Sequence, residues 1–504
     1  MKVLADGEIR RVVEDVEKGI SRLDELVALL QEEKRRFERE LEEKLSQLQI
    51  LNLEDDVGSL IEEFLEEPYL ILPKRKDEYY VIVPKFIRFN IGWLERETKA
   101  YRIFVINRYT QWLYPLPENI KKRLKFPEVK PYKVIDGVLW TGREHQDEAW
   151  RKYRKYLLRR EGEDRIKIKK GYEFELIAKL IEDGILPFIP QPVSDEDLRE
   201  WDEIKLRSYQ EKAWEEFLDK GAVGIFWPFG AGKSLFGVYA LARIKGKKLV
   251  VVPTRTLVEQ WEERIRKYIP EYASEIEVIT YHSYHKVAKK EFTLTIFDEV
   301  HHLPANTFIR LATIKTKYRI GLSGSPFRED KRENYIFALT GFPVGLSWDE
   351  LLEKGVVKEP VFKLYIVDSE REKLRKLRDL LEIPAKTIIF CDSIDFGKRI
   401  AREFGVPFVY GETKNRMDII RDSEVCVVSR VGDEGISIGD VERVVEIAFL
   451  GGSRMQESQR FGRLMHSQKQ EPEHIILMTE EEFEKYQKRL YAITERGFRI
   501  EVVR

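Results

Sequence analysis

Apolar positions along the chain fall into three successive patterns. Over residues 9–48 they recur at steps of three and four: Ile9, Val13, Val16, Ile20, Leu23, Val27, Leu30, then Phe37, Leu41 and Leu48. Lys34 and Lys44 interrupt that seam, and no Gly or Pro falls between Ile20 and Leu51. The spacing is a heptad and predicts a long helix; some 40 residues at 1.5 Å each would span ~60 Å. Such a stripe must bury itself, against another helix of this chain or against a second protomer or a different protein. Residues 69–116 instead carry short Tyr-, Val-, Ile- and Phe-rich runs, such as 79–83 and 101–105, which predict a small β-rich unit with turns near Lys76 and Glu97. From residue 222 onward short apolar runs alternate with helical stretches: 222–227, 248–252, 294–297, then 387–390, 407–410, 425–428 and 444–447. That alternation predicts parallel sheets.

The expected organisation is a helical, coiled-coil-like arm over 1–54 and a β-rich and basic helical accessory domain over 55–200, ending in a Pro-rich linker. Two α/β domains follow, over 201–358 and 359–504. The linker rests on Pro187, Pro190 and Pro192. With 504 residues there is length for two to four domains. Charged residues make up 35% of the chain, yet the net charge is −1, so any nucleic-acid surface must be a local patch. One candidate is residues 150–170, with Arg154, Lys155, Arg159, Arg160, Arg165 and Lys167; a solvated helix face has the same composition. Another is Arg88, Arg96, Arg102 and Arg108 among the aromatics of 69–116, although an ordinary amphipathic sheet looks alike. Cys391 and Cys426 lie in apolar runs and read as small buried core residues rather than a disulfide framework. No apolar run reaches 18 residues, and the N-terminus has no signal-peptide core, so the expectation is a soluble, cytoplasmic protein, nucleoid-associated if prokaryotic, with no membrane partner.

The chemistry centres on Trp227-Pro228-Phe229-Gly230-Ala231-Gly232-Lys233-Ser234. A strand, a glycine-rich turn and Lys-Ser opening a helix make a phosphate-binding loop. Gly230 and Gly232 let backbone amides around Ala231 point inward, and the helix N-terminus adds positive potential. Lys233 would reach the β/γ-phosphates of ATP and Ser234 would ligate Mg²⁺. Trp227 stands where the first glycine of G-x-x-x-x-G-K-[ST] belongs. The metal partner is Asp298, at the end of the strand-like run 294–297, and Glu299 is placed to act as general base. No Cys or further His lies at ligand spacing from His301 and His302, which argues against a metal held by that pair.

Asp298-Glu299-Val300-His301 is a DExH box, and the sequence resembles a superfamily 2 helicase over about 204–467. Leu206-Arg207-Ser208-Tyr209-Gln210 is similar to the adenine-reading segment, which implies Gln210 on the base. Pro253-Thr254-Arg255 and Thr280-Tyr281-His282-Ser283 are similar to strand-contacting motifs, Ser323-Gly324-Ser325 to motif III, Asp433-Glu434-Gly435-Ile436-Ser437 to motif V, and Gln459-Arg460-Phe461-Gly462-Arg463 to motif VI. Within that superfamily the XPB-like branch, particularly its archaeal members, is most similar. The signature is Asp298-Glu299-Val300-His301-His302-Leu303-Pro304-Ala305 together with Arg328-Glu329-Asp330, which resembles the family's RED motif.

The resemblance implies two RecA-like domains in tandem closing on ATP and Mg²⁺, with activity as a DNA-dependent ATPase, helicase or duplex translocase in repair, recombination or transcription. It implies DNA contacts at Thr254, Arg255, Thr280, Arg328, Glu329, Asp330 and Asp433, and nucleotide contact at Gly435. Coupling would pass through His301, Ser323 and Ser325, and Arg463 would be the arginine finger, with Arg460 assisting. The DNA would be duplex, forked or branched, and the heptad arm would take a protein partner or a second copy. Three features depart from the family pattern: His466 replaces a second motif VI arginine, the interval 362–387 holds room for one helix (about 369–381) instead of a thumb, and the arm is additional. Two other readings are an RNA helicase of the same superfamily and a weakly catalytic DNA-binding clamp or assembly factor.

Overall fold

The computed structural model describes residues 70–503 apart from 76, 86–88, 99–100, 115, 127–129, 229, 304, 329–330, 347, 431–439, 452–453, 468 and 470. The heptad stretch 9–48 lies outside the described residues. The chain divides into two compact units, 1–128 with 494–497, and 129–493 with 498–504.

In the first unit β1 (Leu70–Arg75), β2 (Glu78–Pro84), β3 (Trp93–Glu97) and β4 (Tyr101–Asn107) form an antiparallel sheet in the order β1-β2-β4-β3. Its core holds Val81, Val83, Leu94, Ile103 and Phe104. Two of the arginines read as a nucleic-acid grip are internal ties instead. Arg102 is 4% exposed and donates to the Thr494 carbonyl at 2.9 Å, and buried Arg108 pairs with Asp77 at 2.6 Å. Burial of a charge demands such partners, which removes both from any phosphate-facing surface. Arg88 lies outside the described residues.

The second unit opens with another antiparallel sheet, β5 (Lys133–Ile135), β6 (Val138–Trp140), β7 (Leu157–Arg160) and β8 (Arg165–Ile168), in the order β5-β6-β8-β7. The basic stretch expected to be helical closes a helix at Gln146–Lys152 and then forms β7 and β8. The reason is the period-two alternation Arg165-Ile166-Lys167-Ile168, which buries Ile166 and Ile168 beside Leu157 and Leu139 and leaves the cations on the other side. Helix α1 (Glu173–Glu182) ties this module to the next sheet: Phe174 meets Phe308 and Tyr335, and Asn334 donates to the Ala178 carbonyl at 2.9 Å. The proline stretch 185–194 has no regular structure of its own except the approach to a short 3₁₀ turn; Val193 donates its amide to the Leu218 carbonyl at 2.7 Å.

Lobe 1 is a six-stranded sheet of β9 (Ala222–Phe226), β10 (Lys248–Val252), β11 (Ile276–Thr280), β12 (Glu291–Asp298), β13 (Lys315–Ser323) and β14 (Phe342–Gly345). Its order is β11-β10-β12-β13-β9-β14 and every pairing is parallel. The strands are covered on both faces, so they read as unbroken apolar runs; all five residues of β10 are buried. Around the sheet lie α2 (Ser208–Lys220), α3 (Lys233–Arg243), α4 (Arg255–Tyr268) and α5 (Glu333–Thr340). Gly321 lets α5 press onto β13: a Cβ there would stand 2.0 Å from Thr340 Cγ2.

Lobe 2 is a seven-stranded sheet of β15 (Val361–Val367), β16 (Thr387–Cys391), β17 (Phe408–Val409), β18 (Val425–Val428), β19 (Arg443–Ala448), β20 (Glu473–Thr479) and β21 (Ile500–Val503), also wholly parallel, in the order β17-β18-β16-β19-β20-β15-β21. One helix, α6 (Glu370–Leu381), lies between β15 and β16, with Ser369 as its N-cap. Helix α7 (Arg454–Phe461) follows β19. Cys391 and Cys426 are free and buried in β16 and β18, and burial pushes each thiol up to about 12. Two RecA-like parallel sheets in tandem therefore make up the α/β part of the fold. Among the described residues no helix is long and apolar enough to cross a membrane.

Candidate nucleotide site

The order of lobe 1 sets β9, β13 and β12 side by side, so the loops after their carboxyl ends converge at one edge, the usual ligand side of an open parallel sheet. The first is the glycine-rich loop. Gly230 and Gly232 take φ of 86° and 79°, values that only glycine adopts without strain, and Gly232 is the N-cap of α3. Trp227 is 1% exposed, with its ring edge-on to Tyr209 and Phe236 at 5.3 Å each. The indole fills the core beneath the loop, and the two later glycines supply its bend. Restoring the consensus should therefore harm the protein: Trp227→Gly or Trp227→Ala should cost about 3–5 kcal/mol of stability, seen as a lower denaturant midpoint at unchanged m-value.

Helix α2 pins this loop. Tyr209 Oη donates to the Ala231 carbonyl at 2.8 Å, while Gln210 accepts from the Arg207 amide at 2.9 Å and donates to the Gly232 carbonyl at 3.3 Å. Gln210 is buried, so its amide holds the phosphate loop in this structure. Lys233 Nζ donates back to the carbonyls of Trp227 at 2.9 Å and Pro228 at 3.1 Å. Burial pushes its ammonium below the usual lysine range, and Glu299 and Asp298 oppose that drop. Ser234, next in α3, is half-buried.

The second loop carries the acidic pair. Asp298 is buried; its Oδ2 accepts from Trp261 Nε1 at 2.8 Å, its Oδ1 from the Glu299 amide at 3.0 Å, and its carbonyl from Tyr281 Oη. Burial pushes its carboxyl up, against the Trp261 hydrogen bond, Arg264 and Lys233. Glu299 sits at φ 49°, ψ 46°, left-handed backbone that is strained for a side-chain-bearing residue and concentrated at functional sites. Its Oε2 lies 3.4 Å from His301 Nδ1. His301 Nδ1 is also 2.8 Å from Ser323 Oγ, at the end of β13. Ser323 Oγ donates its one proton to the Ser325 carbonyl at 2.7 Å, so His301 carries its proton on Nδ1 and donates it. Burial holds His301 well below the usual imidazole range and pushes His302 down to about 4, so both rings are neutral at pH 7. Ser325 Oγ accepts from the Phe327 amide at 3.1 Å, and Arg328 Nη1 donates to the His301 carbonyl at 2.7 Å. Arg328 thus lies on the acidic loop itself; Glu329 and Asp330 lie outside the described residues.

Of the remaining lobe 1 residues, Thr254 caps α4 by accepting from the Leu257 amide, Arg255 is exposed, and Thr280 meets Ser283 at 3.1 Å; all three sit at carboxyl ends of β10 and β11. The pattern of residues gave no sign of Trp261 and Arg264. They lie three apart on α4, and nothing in a plain amphipathic helix marks them as the groups that face Asp298.

Lobe 2 reaches the site through α7. Gln459 Nε2 lies 3.2 Å from His302 Nε2, a direct contact between the lobes. Arg463 is 8% exposed, with its guanidinium 5.5 Å from the centre of the Phe390 ring. Arg460 is not available as a helper at the phosphates. Its guanidinium is fully buried, 2.5 Å from Glu446 and 2.6 Å from Asp392, and Coulomb attraction in a buried site fixes it there. Asp433 and Gly435 lie outside the described residues, as does the side chain of His466. The donor set of Ser234 and Asp298 is hard oxygen at a positively biased loop, which suits Mg²⁺.

Both lobes are similar to known protein families. Residues 203–328 match the family described as type III restriction enzyme, res subunit, and residues 376–496 the ERCC3/RAD25/XPB C-terminal helicase. A Haloarcula marismortui protein provisionally named DNA 3'-5' helicase Rad25 is 33% identical over 313 residues, 52% of this chain and 50% of its own length. The DNA 3'-5' translocase XPB2 of Sulfurisphaera tokodaii is 28% identical over 383 residues, 59% of this chain and 86% of its own. The chain spans about half the length of the Rad25 relatives. Among solved structures, S. cerevisiae Dbp5 bound to RNA and ADP BeF3 matches at TM-score 0.47 and 14% identity, over 59% of this chain and 90% of that one. Across residues 203–496 the chain resembles the XPB branch of the superfamily 2 helicases.

Proposed function

We propose that this chain is an ATP-dependent DNA motor of the DExH type, a helicase or duplex translocase serving repair, recombination or transcription. The observation that carries the proposal is the meeting of Lys233, Asp298 and Glu299 at one sheet edge with α7 of the other lobe in contact at His302. Lys233 and the loop amides bind the triphosphate, Ser234 and Asp298 hold Mg²⁺, and Glu299 takes the proton of the attacking water. Mg²⁺, when bound, neutralises charge developing on the phosphates. Arg463 supplies the cation from lobe 2, so the site is complete only when the lobes close. Closure moves Arg463 off the Phe390 ring. Once the γ-phosphate leaves, the bridge between Arg463 and the phosphate loop is lost and the cleft reopens.

DNA lies along the exposed carboxyl edges at Thr254, Arg255 and Thr280, and on the cationic side of β5–β8. There Arg165 stacks on Trp140 at 5.1 Å, and Arg154 and Arg160 flank Trp150 at 4.4 and 5.4 Å. Backbone contacts of this kind make binding sequence-independent and weaken it steeply with salt. Phe174 meets Phe308, over which Arg328 lies at 5.3 Å, so the module is packed against the acidic loop. The heptad arm at 9–48 takes a second copy or a protein partner.

A second reading, a weakly catalytic clamp, is favoured by Arg463 resting on Phe390. Phosphate release measured with single-stranded, duplex, forked and four-way DNA and with RNA separates these. A motor shows DNA-stimulated turnover, a clamp binds DNA without stimulation, and an RNA helicase responds to RNA.

A further inference from the structure

Among the described residues, six side chains of lobe 2 form a cluster that the nucleotide chemistry does not use. Arg460 joins Asp392 to Glu446 at 2.6 and 2.5 Å. Arg489, far along the chain, joins Glu446 to Glu457 at 2.6 and 2.7 Å. His474 Nε2 lies 3.1 Å from Glu446 and 2.9 Å from Glu457. Every one of these side chains is fully buried. The elements joined are β16 and β19 at their carboxyl ends, β20, the 3₁₀ turn at Gln487–Leu490, and α7 through both Glu457 and Arg460. Arg489 also donates to the Gly451 carbonyl at 3.1 Å, just ahead of α7.

Among the described residues three carboxylates face two guanidiniums and one imidazole, and their charges balance when His474 is protonated. The groups facing that ring are Glu457 of α7 and Glu446 of β19, with Arg489 and Arg460 behind them. Phe362 and Phe461 flank it at 5.6 and 6.2 Å between ring centres. Arg430 reaches Asp392 from the exposed rim at 3.7 Å and is screened by water. Glu446, Glu457 and His474 also have the spacing of a metal site. The two arginines already satisfy both carboxylates, so a divalent cation would have to displace them. Isolated charge is too costly in such a place for the cluster to be left one cation short.

We propose that His474, as the third cation of this cluster, is a positioning residue that fixes α7 and the 3₁₀ turn after it, so that Gln459 meets His302 and Arg463 is held beside Phe390. The functional half of this rests on the motor reading above; the structural half does not. Burial alone would push the imidazole down, but hydrogen bonds to Glu446 and Glu457 raise it to about 9. Arg489 and Arg460 hold Glu446 well below the usual carboxylate range.

The test compares the full-length protein with His474→Gln and with His474→Gln/Glu457→Gln, in which removing one carboxylate restores neutrality. Amide hydrogen exchange over 454–466 should quicken at least tenfold in the single variant and return to within twofold of wild type in the double. DNA-stimulated kcat should fall about tenfold in the single variant, with KM for ATP within twofold because the phosphate loop belongs to lobe 1, and should recover in the double. Wild-type exchange in the single variant, or a double variant as fast as the single, overturns the proposal. If the single variant does not fold, a double that also fails overturns it too. Restored exchange in a protein whose wild type hydrolyses no ATP would sink the motor reading and leave the cluster standing.

Discussion

Lys233→Ala should abolish nucleotide hydrolysis, with kcat down by about 10³-fold or more, because the lysine does two jobs at once. In the proposed site it is the cation that reaches the phosphates, and in the structure it is the buried positive charge beside Asp298 and Glu299. Without it two acidic groups share a dry pocket with Arg264 as the main remaining counter-charge to Asp298. The carbonyls of Trp227 and Pro228 lose their donor as well. The loop should therefore loosen, and ATP affinity should fall along with turnover. Nucleotide-binding titration beside steady-state phosphate release checks both; hydrolysis within tenfold of wild type would mean that another group binds the phosphates.

Glu299→Gln should separate binding from chemistry. The amide matches the carboxylate in size and tolerates the same left-handed backbone, so the loop geometry stays. What it loses is the ability to accept a proton from water, a role worth about 10²–10⁴-fold. ATP should bind within a fewfold of wild-type affinity and remain unhydrolysed, holding the lobes closed on DNA. Equal loss of binding and turnover would show Glu299 to be a structural support for His301, from which its Oε2 stands 3.4 Å.

A milder effect comes from pH. The His474 imidazole, at about 9 when folded, lies above its ordinary value near 6.5. Its contribution is complete below pH 6.5 and is lost as pH rises through 9, amounting to about 3 kcal/mol. Thermal melting between pH 6.5 and 10 should show the midpoint falling across that window, and the fall should vanish in His474→Gln.

Much of this was legible in the sequence for physical reasons. Strands such as β10 and β16 are buried on both faces and so read as apolar blocks, and the loop at Gly230–Lys233 is marked by glycines that only a special backbone requires. The single helix between β15 and β16 followed from chain length alone. Other features were hidden. In β7 and β8 the cations are as many as the apolar residues, so charge masked the strand pattern, including the period-two alternation of β8. Trp227 looked like a defect because its role depends on Tyr209 and Phe236, which only folding brings to it. Arg460 looked like a phosphate contact because motif VI is read as a string, whereas its partners Asp392 and Glu446 come from other strands. Glu446, Glu457, His474 and Arg489 carry no local signal, since their meaning lies in charge balance across four elements.

One triphosphate shared by the two lobes is the central claim, and Arg463→Ala tests it most directly. Single-turnover hydrolysis of pre-bound ATP in the presence of DNA should slow by about 10²-fold or more, while ATP affinity, set by the loop on lobe 1, stays within a fewfold. A wild-type rate of hydrolysis in that variant would contradict it.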